Sequence, residues 1–308
     1  MWGGIPMDFL ALGQVITDDV VFPEMPSRNN LLGGVAYALT GMRLWSDSVA
    51  VCCGVGKDFE ELHGGWFRAN NIDISGLTVL ADKGPHSLIR YFEDGEREEI
   101  SLNGTAPLSM MMPQPDEIPR AFHTCKGIYI FKDAEKAYWE RMGSFLNRSS
   151  ATVVWEILGS AACLENKNNI WEILKMVSIF SINLTECRRL LPGKSPEECV
   201  KEFLGAGVQA VLVRMGEGGA LVGDRRGIWR IPAVKTEVVD VTGGGNSSTG
   251  AFLVGYCESR GNVVLAGKYA SVAASFVLEQ YGPPHLLYGA ITHKAVKRLG
   301  ELKEERIR

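Results

Sequence analysis

Apolar positions along the chain fall into two alternating patterns. Short runs rich in β-branched residues occur at residues 8–13 (DFLALG), 48–56 (SVAVCCGVG), 127–131 (GIYIF), 151–157 (ATVVWEI), 177–183 (VSIFSIN) and 209–216 (QAVLVRMG). Their near-continuous hydrophobicity is what strands buried on both faces require. Between them, apolar positions recur at the 3.6-residue spacing of amphipathic helices, over residues 34–45, 59–70, 135–148, 166–175 and 197–206. A helix-rich end follows, over about 246–259, 262–279 and 290–304. This alternation predicts an α/β fold, doubly wound, with a mainly parallel sheet flanked by helices on both faces.

One region breaks the rhythm. Residues 86–103 (HSLIRYFEDGEREEISLN) read as two strands around an EDGE turn, with no helical period. With residues 15–32 they predict a small β-sheet lid formed by about 15–32 and 85–103. No repeat, low-complexity tract or linker divides the chain, so residues 1–308 read as one domain carrying that lid. The closing KRLGELKEERIR reads as a solvated helix end with favourable Glu/Lys spacing.

Composition adds exclusions. A 308-residue chain with 46% hydrophobic and 22% charged residues can bury a large core. Its net charge of -4 spreads no basic field for nucleic acid or an anionic membrane, and favours a small-molecule ligand. Apolar runs fall short of the roughly 20 residues that cross a bilayer, and the first residues lack a signal-peptide pattern; a cytoplasmic location is expected. The seven cysteines form no CxxC, and neighbours Cys52 and Cys53 point to opposite sides of a strand, so reduced thiols are expected. LPGKS (191–195) contains the Gly-Lys-Ser of a phosphate loop, but Arg188 replaces its leading Gly. The five histidines show no zinc spacing, and Ser247 and Ser248 sit in no G-x-S-x-G.

Candidate chemistry concentrates in VVDVTGGGNSSTGAF (238–252). Three glycines before a helical pattern can turn successive N–H groups toward one anion, and the helix N-terminus adds partial positive charge. Glycine-rich turns before helices also serve as plain connectors, and these residues alone leave both readings open.

The stretch resembles the C-terminal signature of the ribokinase-like (PfkB) carbohydrate kinases, D-T-x-G-A-G-D. Asp240, Thr242, Gly243 and Gly245 fit it, whereas Val241, Gly244 and Asn246 depart. Family-like segments recur in order at GQVITD (13–18), GGVAYA (33–38), GVGKDF (54–59), NIDISGL (71–77), NLTE (183–186) and VRMGEGGALV (213–222). The resemblance runs from about residue 8 to residue 295.

It implies ATP- and Mg2+-dependent phosphorylation of a primary hydroxyl on a sugar, sugar derivative or nucleoside. Gly243, Gly244 and Gly245 inherit the anion hole for the transferred phosphate. Asn246 occupies the place of the Asp that takes the acceptor's proton, which a carboxamide cannot do. Asp18 corresponds to the sugar-binding Asp, with Gly33, Gly34 and Tyr37 on the same side; an aromatic at 37 can stack on a ring face. Ala38 stands where the family commonly has Asn. With Trp155 and Glu156, this implies a pocket unlike that of ribokinase. Asn183 and Glu186 correspond to the N-x-x-E pair that acts on Mg2+ through water, although Glu186 also suits a helix N-terminus. Gly216, Gly218, Gly219, Thr242 and Ala274 fall on the nucleotide side. For Ala270, Ala273, Ala274 and Ser275, close helix packing is an equal alternative. Some family members also bind a monovalent cation near the anion hole.

A general base contributes on the order of 10²–10⁴ in rate, while positioning and charge neutralisation carry most of phosphoryl transfer. Asn246 therefore leaves several readings open. One is a catalytically inactive pseudokinase that binds nucleotide or sugar as a regulatory or sensor protein. Others are a slow kinase in which Asn246 only orients the hydroxyl, a kinase using Asp18, Asp19 or Asp240 instead, and an altered residue at 246. The kinase readings predict more product from Asn246→Asp. Many relatives dimerise through lid strands. The alternation at 88–92 suits a homodimer or coverage by the chain's own 15–32 segment.

Overall fold

The computed structural model describes residues 7–93, 97–104 and 109–307. Seven strands form a parallel core: β1 (Phe9–Leu12), β4 (Val49–Gly56), β5 (Asp73–Ala81), β8 (Gly127–Lys132), β9 (Thr152–Ile157), β10 (Ile179–Asn183) and β11 (Ala210–Arg214). Their spatial order is β11-β10-β9-β8-β1-β4-β5. The hairpin of β12 (Ala220–Asp224) and β13 (Gly227–Ile231) extends this sheet antiparallel. A short β14 (Glu305–Ile307) closes the edge, pairing Ile228 with Ile307. The expected solvated helix end is thus corrected: α9 (Ala290–Glu301) stops early, and the last residues cover a sheet edge. Strand β5 carries no strand signal in the sequence, because most of its positions are polar, small or exposed and Gly76 interrupts the run.

Period-2 alternation sends successive side chains to opposite faces of the sheet. In β1, Leu10 and Leu12 join a core layer with Trp139, Trp155, Phe180 and Phe203. Phe9 and Ala11 join the opposite layer with Leu39, Phe252 and Leu253. Trp155, expected beside the ligand, is wholly buried; it packs on Trp139 and Phe180 and donates its indole N–H to Lys132 O at 2.9 Å. It is part of that core layer.

The second, lid-like sheet has the order β3 (Arg28–Gly34), β2 (Val15–Val21), β6 (His86–Tyr91) and β7 (Arg97–Ser101). Strands β6 and β7 pair antiparallel from Ser87↔Ser101 to Tyr91↔Arg97. The turn between them lies partly outside the described residues. Strand β6 also pairs with β2, so its backbone edge on that side is taken by the chain's own N-terminal segment, while Phe92 stays 43% exposed.

Two helices bring the glycine-rich stretch to the sheet. Helix α1 (Val35–Arg43) follows β3, and α7 (Gly244–Glu258) follows the glycines. They cross closely: a Cβ on Gly41 would lie 1.9 Å from Ser247 O, and one on Gly250 2.2 Å from Ala38 O. Ala38 is buried at this crossing.

The LPGKS segment proves to be a helix cap. Ser195 Oγ accepts the Glu198 N–H, and Glu198 Oε2 accepts the Ser195 N–H.

Candidate active site

Helix α7 begins with Gly243 at its N-cap in the left-handed conformation, φ +77. The first intrahelical bond runs from Ser247 N to Gly243 O, so the amides of residues 243–246 form the open first turn. Of these, Gly244 N–H reaches Val241 O at a long 3.4 Å. Two neighbours shape the turn. A Cβ on Gly243 would lie 2.1 Å from the Tyr37 ring, and one on Gly245 would lie 1.8 Å from Arg214 Nη1. Tyr37 is 3% exposed, so its ring supports the loop from beneath. Arg214, the last residue of β11, lays its guanidinium over Gly245.

A chain of polar contacts runs along the carboxyl ends of the parallel strands, where open α/β sheets bind ligands. Asn246 Nδ2 donates to Tyr129 Oη at 3.2 Å, and Tyr129 donates to Glu156 Oε2 at 2.8 Å. Glu156 Oε1 pairs with Arg214 Nη1 at 2.8 Å, and Arg214 Nη2 lies 3.9 Å from Glu186 Oε2. Arg214 Nε is buried with no hydrogen-bond partner among the described residues. Burial, reinforced by the Glu156 charge, raises the Tyr129 hydroxyl well above its ordinary pKa, so it stays protonated. Burial also raises the Glu186 carboxyl, against the pull of Arg214.

Asn183 and Glu186 form a capping box at the start of α5 (Leu184–Leu190). Asn183 Oδ1 accepts the Glu186 N–H, while the two Glu186 oxygens accept from Asn183 N and Nδ2 at 2.8 and 2.7 Å. The helix-stabilising alternative is thus present, with Glu186 still facing Arg214. No group of three or more His, Cys, Asp or Glu among the described residues is arranged to hold a metal ion.

On the lid side, Asp18 is buried with its Oδ2 against Gly33, where a Cβ would lie 1.9 Å away. Gly34 takes φ +62 at the N-cap of α1. Asp19 accepts from Asn30 N at 2.8 Å and pairs with His86 Nε2 at 3.0 Å, which ties β2, β3 and β6 together. Asp240 Oδ1 accepts from Thr242 N at 2.9 Å and from Tyr91 Oη at 2.7 Å, linking the glycine loop to the second sheet. Two of the three alternative carboxylates therefore have structural duties.

Gly216, Gly218 and Gly219 form the turn after β11, two residues beyond Arg214. At Gly219, φ is +77 and a Cβ would lie 2.1 Å from Ile231 O. In α8 (Val263–Leu278), Ala270, Ala273 and Ser275 are buried, and Ala274 alone of the four is half-exposed. Ser275 is a packing residue: its hydroxyl bonds Val272 O and Arg298 Nη1. The structure thus joins Gly243–Asn246, Tyr37, Asn183 and Glu186 in one cluster. Sequence reasoning missed Tyr129 and Arg214. Tyr129 is the polar residue in the middle of GIYIF and Arg214 the charged end of AVLVR, signals visible in the sequence but shared with ordinary buried tyrosines and strand-end cations.

Comparison with known proteins agrees with this architecture. The family described as pfkB family carbohydrate kinase matches residues 9–286. A cytidine kinase of Thermococcus kodakarensis is 27% identical over 264 residues, covering 82% of this chain and 90% of the relative. A ribokinase of Lactococcus lactis is 30% identical over 109 residues, 35% of each chain. Among solved structures, a putative ribokinase II from E. coli in complex with ATP and Mg2+ superposes with a TM-score of 0.75 at 18% identity, over 95% of this chain and 99% of that one. The nucleoside kinase of Methanocaldococcus jannaschii gives 0.73 at 20% identity, over 97% and 100%.

Proposed function

Because the chain belongs to the pfkB family of carbohydrate kinases, we propose that its own reaction is transfer of the γ-phosphate of ATP to a primary hydroxyl of a nucleoside or sugar. The observation that carries this is the open first turn of α7, shaped by Tyr37 beneath Gly243 and by Arg214 over Gly245. Helix N-terminal amides and a guanidinium lie side by side there, the donor set that a transferred phosphoryl group calls for. The buried Arg214 Nε, without a hydrogen-bond partner among the described residues, fits the same reading.

Arg214 is already paired with Glu156 and faces Glu186, so the strand ends carry two carboxylates against one guanidinium. A polyphosphate entering this field needs an added cation. Mg2+ would supply that neutralisation, and Glu186 is the residue that would hold it, through water. Gly216, Gly218, Gly219 and half-exposed Ala274 would border the nucleotide. Asp18 beside Gly33 would accept hydrogen bonds from acceptor hydroxyls, under the second sheet as a lid. A nucleoside is favoured over free ribose, because the cytidine kinase match spans most of both chains whereas the ribokinase match spans about a third.

Asn246 favours a second reading, a protein that binds nucleotide or sugar without turnover. Purified protein with MgATP and a pooled set of nucleosides and sugars separates the two by mass spectrometry. A phosphorylated acceptor that disappears without Mg2+ supports the kinase. Ligand-induced thermal stabilisation with no product across the set supports the binding protein.

A further inference from the structure

We infer that Asn246 is a hydroxyl-positioning residue whose carboxamide is held in one orientation by Tyr129, Glu156 and Arg214, and not the remnant of a lost base. The inference rests on the phosphotransferase reading above. It begins at Glu156, 2% exposed, which spends Oε1 on Arg214 and Oε2 on Tyr129. A carboxylate in an ion pair only accepts, so the single Tyr129 proton points at Glu156. Tyr129 then offers only lone pairs to its third neighbour, 3.2 Å away. A carboxamide meets that demand by presenting its NH2 group, which turns Asn246 Oδ1 the other way. Oδ1 accepts no hydrogen bond from another described residue, and Asn246 is half-exposed beside the glycine loop.

An acceptor hydroxyl that donates to Oδ1 is therefore held next to the phosphate cradle. As its oxygen forms the new P–O bond, the bond from that phosphorus to the departing diphosphate breaks. The hydroxyl proton passes to an oxygen of the transferred phosphoryl group, because Asn246 keeps no proton. A carboxylate at 246 would instead set its lone pairs against the Tyr129 oxygen. The titratable groups facing it would be Tyr129 on β8, Glu156 on β9, Arg214 on β11 and Glu186 on α5, with Arg214 the one cation among them.

The test uses ligand-free protein first, then turnover. Thermal unfolding of wild type, Asn246→Asp and Asn246→Ala is followed at pH 5.5 and pH 8. Asn246→Asp is expected to melt roughly 5 °C below wild type at pH 8. The gap is expected to narrow toward pH 5.5, because protonation gives the new carboxyl a proton to donate to Tyr129. Asn246→Ala, which adds no charge, shows no such pH dependence. In turnover with the acceptor found above, Asn246→Ala lowers kcat about tenfold with KM little changed, and Asn246→Asp is no faster than wild type at either pH. Asn246→Asp melting with wild type at pH 8 overturns the proposal. So does an Asn246→Asp rate about 10²-fold or more above wild type, the gain a restored base would give. If no form of the protein makes product, the kinase reading falls, and the melting series still decides whether the amide is wired to Tyr129.

Discussion

At the scale of single residues, the site depends on places where a methyl group has no room. Gly243 combines a left-handed φ of +77 with direct contact to Tyr37. Gly243→Ala is expected to cost roughly 2 kcal/mol or more of stability, measured by denaturant unfolding. His63 carries the residue-level pH dependence. It is buried, bonded to Thr17 Oγ1 at 2.8 Å, and burial lowers its pKa from 6.5 to about 4. The unfolded chain therefore takes up the proton first as pH falls. Stability contributed by neutral His63 is complete above pH 6.5 and is lost as pH drops to about 4, by up to about 3 kcal/mol. His63→Gln should flatten that part of the unfolding profile; an unchanged profile would assign the acid loss elsewhere. Legibility in the sequence followed locality. Asn183 and Glu186 stand three residues apart and form one box, so a short motif revealed them. Tyr129, Glu156 and Arg214 meet only because three strands align in parallel, and no local spacing encodes that.

At the scale of elements, the parallel strands and flanking helices were readable because their apolar periods are long and regular. The misreadings fell where the pattern is weak: β5 at the sheet edge, with exposed polar positions, and β14, three residues that gain strand geometry only by pairing with β13. The second sheet touches the glycine loop through Tyr91, whose hydroxyl donates to Asp240 and whose ring stacks on Phe22 at 5.3 Å. Tyr91→Phe keeps the stack and removes one hydrogen bond to a carboxylate, worth about 1.5–3 kcal/mol. If that bond steadies the closed lid, kcat/KM falls about tenfold or more while the unfolding midpoint moves little. An equal loss of stability with unchanged kcat/KM would make the bond merely structural.

At the scale of the whole molecule, a ten-stranded sheet sets its carboxyl ends toward α7, and a four-stranded sheet is bonded to the loop at that helix's start. No helix among the described residues is long and apolar enough to cross a membrane. Ile100 and Leu102, two apart along β7 and its end, are 37% and 51% exposed. We propose this face as a homodimer contact, which sedimentation at rising concentration would show as a shift from monomer; a constant monomer would remove it. On the proposed kinase reading, Gly243–Gly245 and Arg214 hold the phosphoryl group in transfer. This claim is tested most directly by following labelled γ-phosphate from MgATP into the acceptor, with wild type beside Gly245→Ala, whose new methyl would push into Arg214. The prediction is label in the acceptor with wild type and roughly 10²–10³-fold slower transfer with the variant. Equal transfer by the two proteins would contradict the claim.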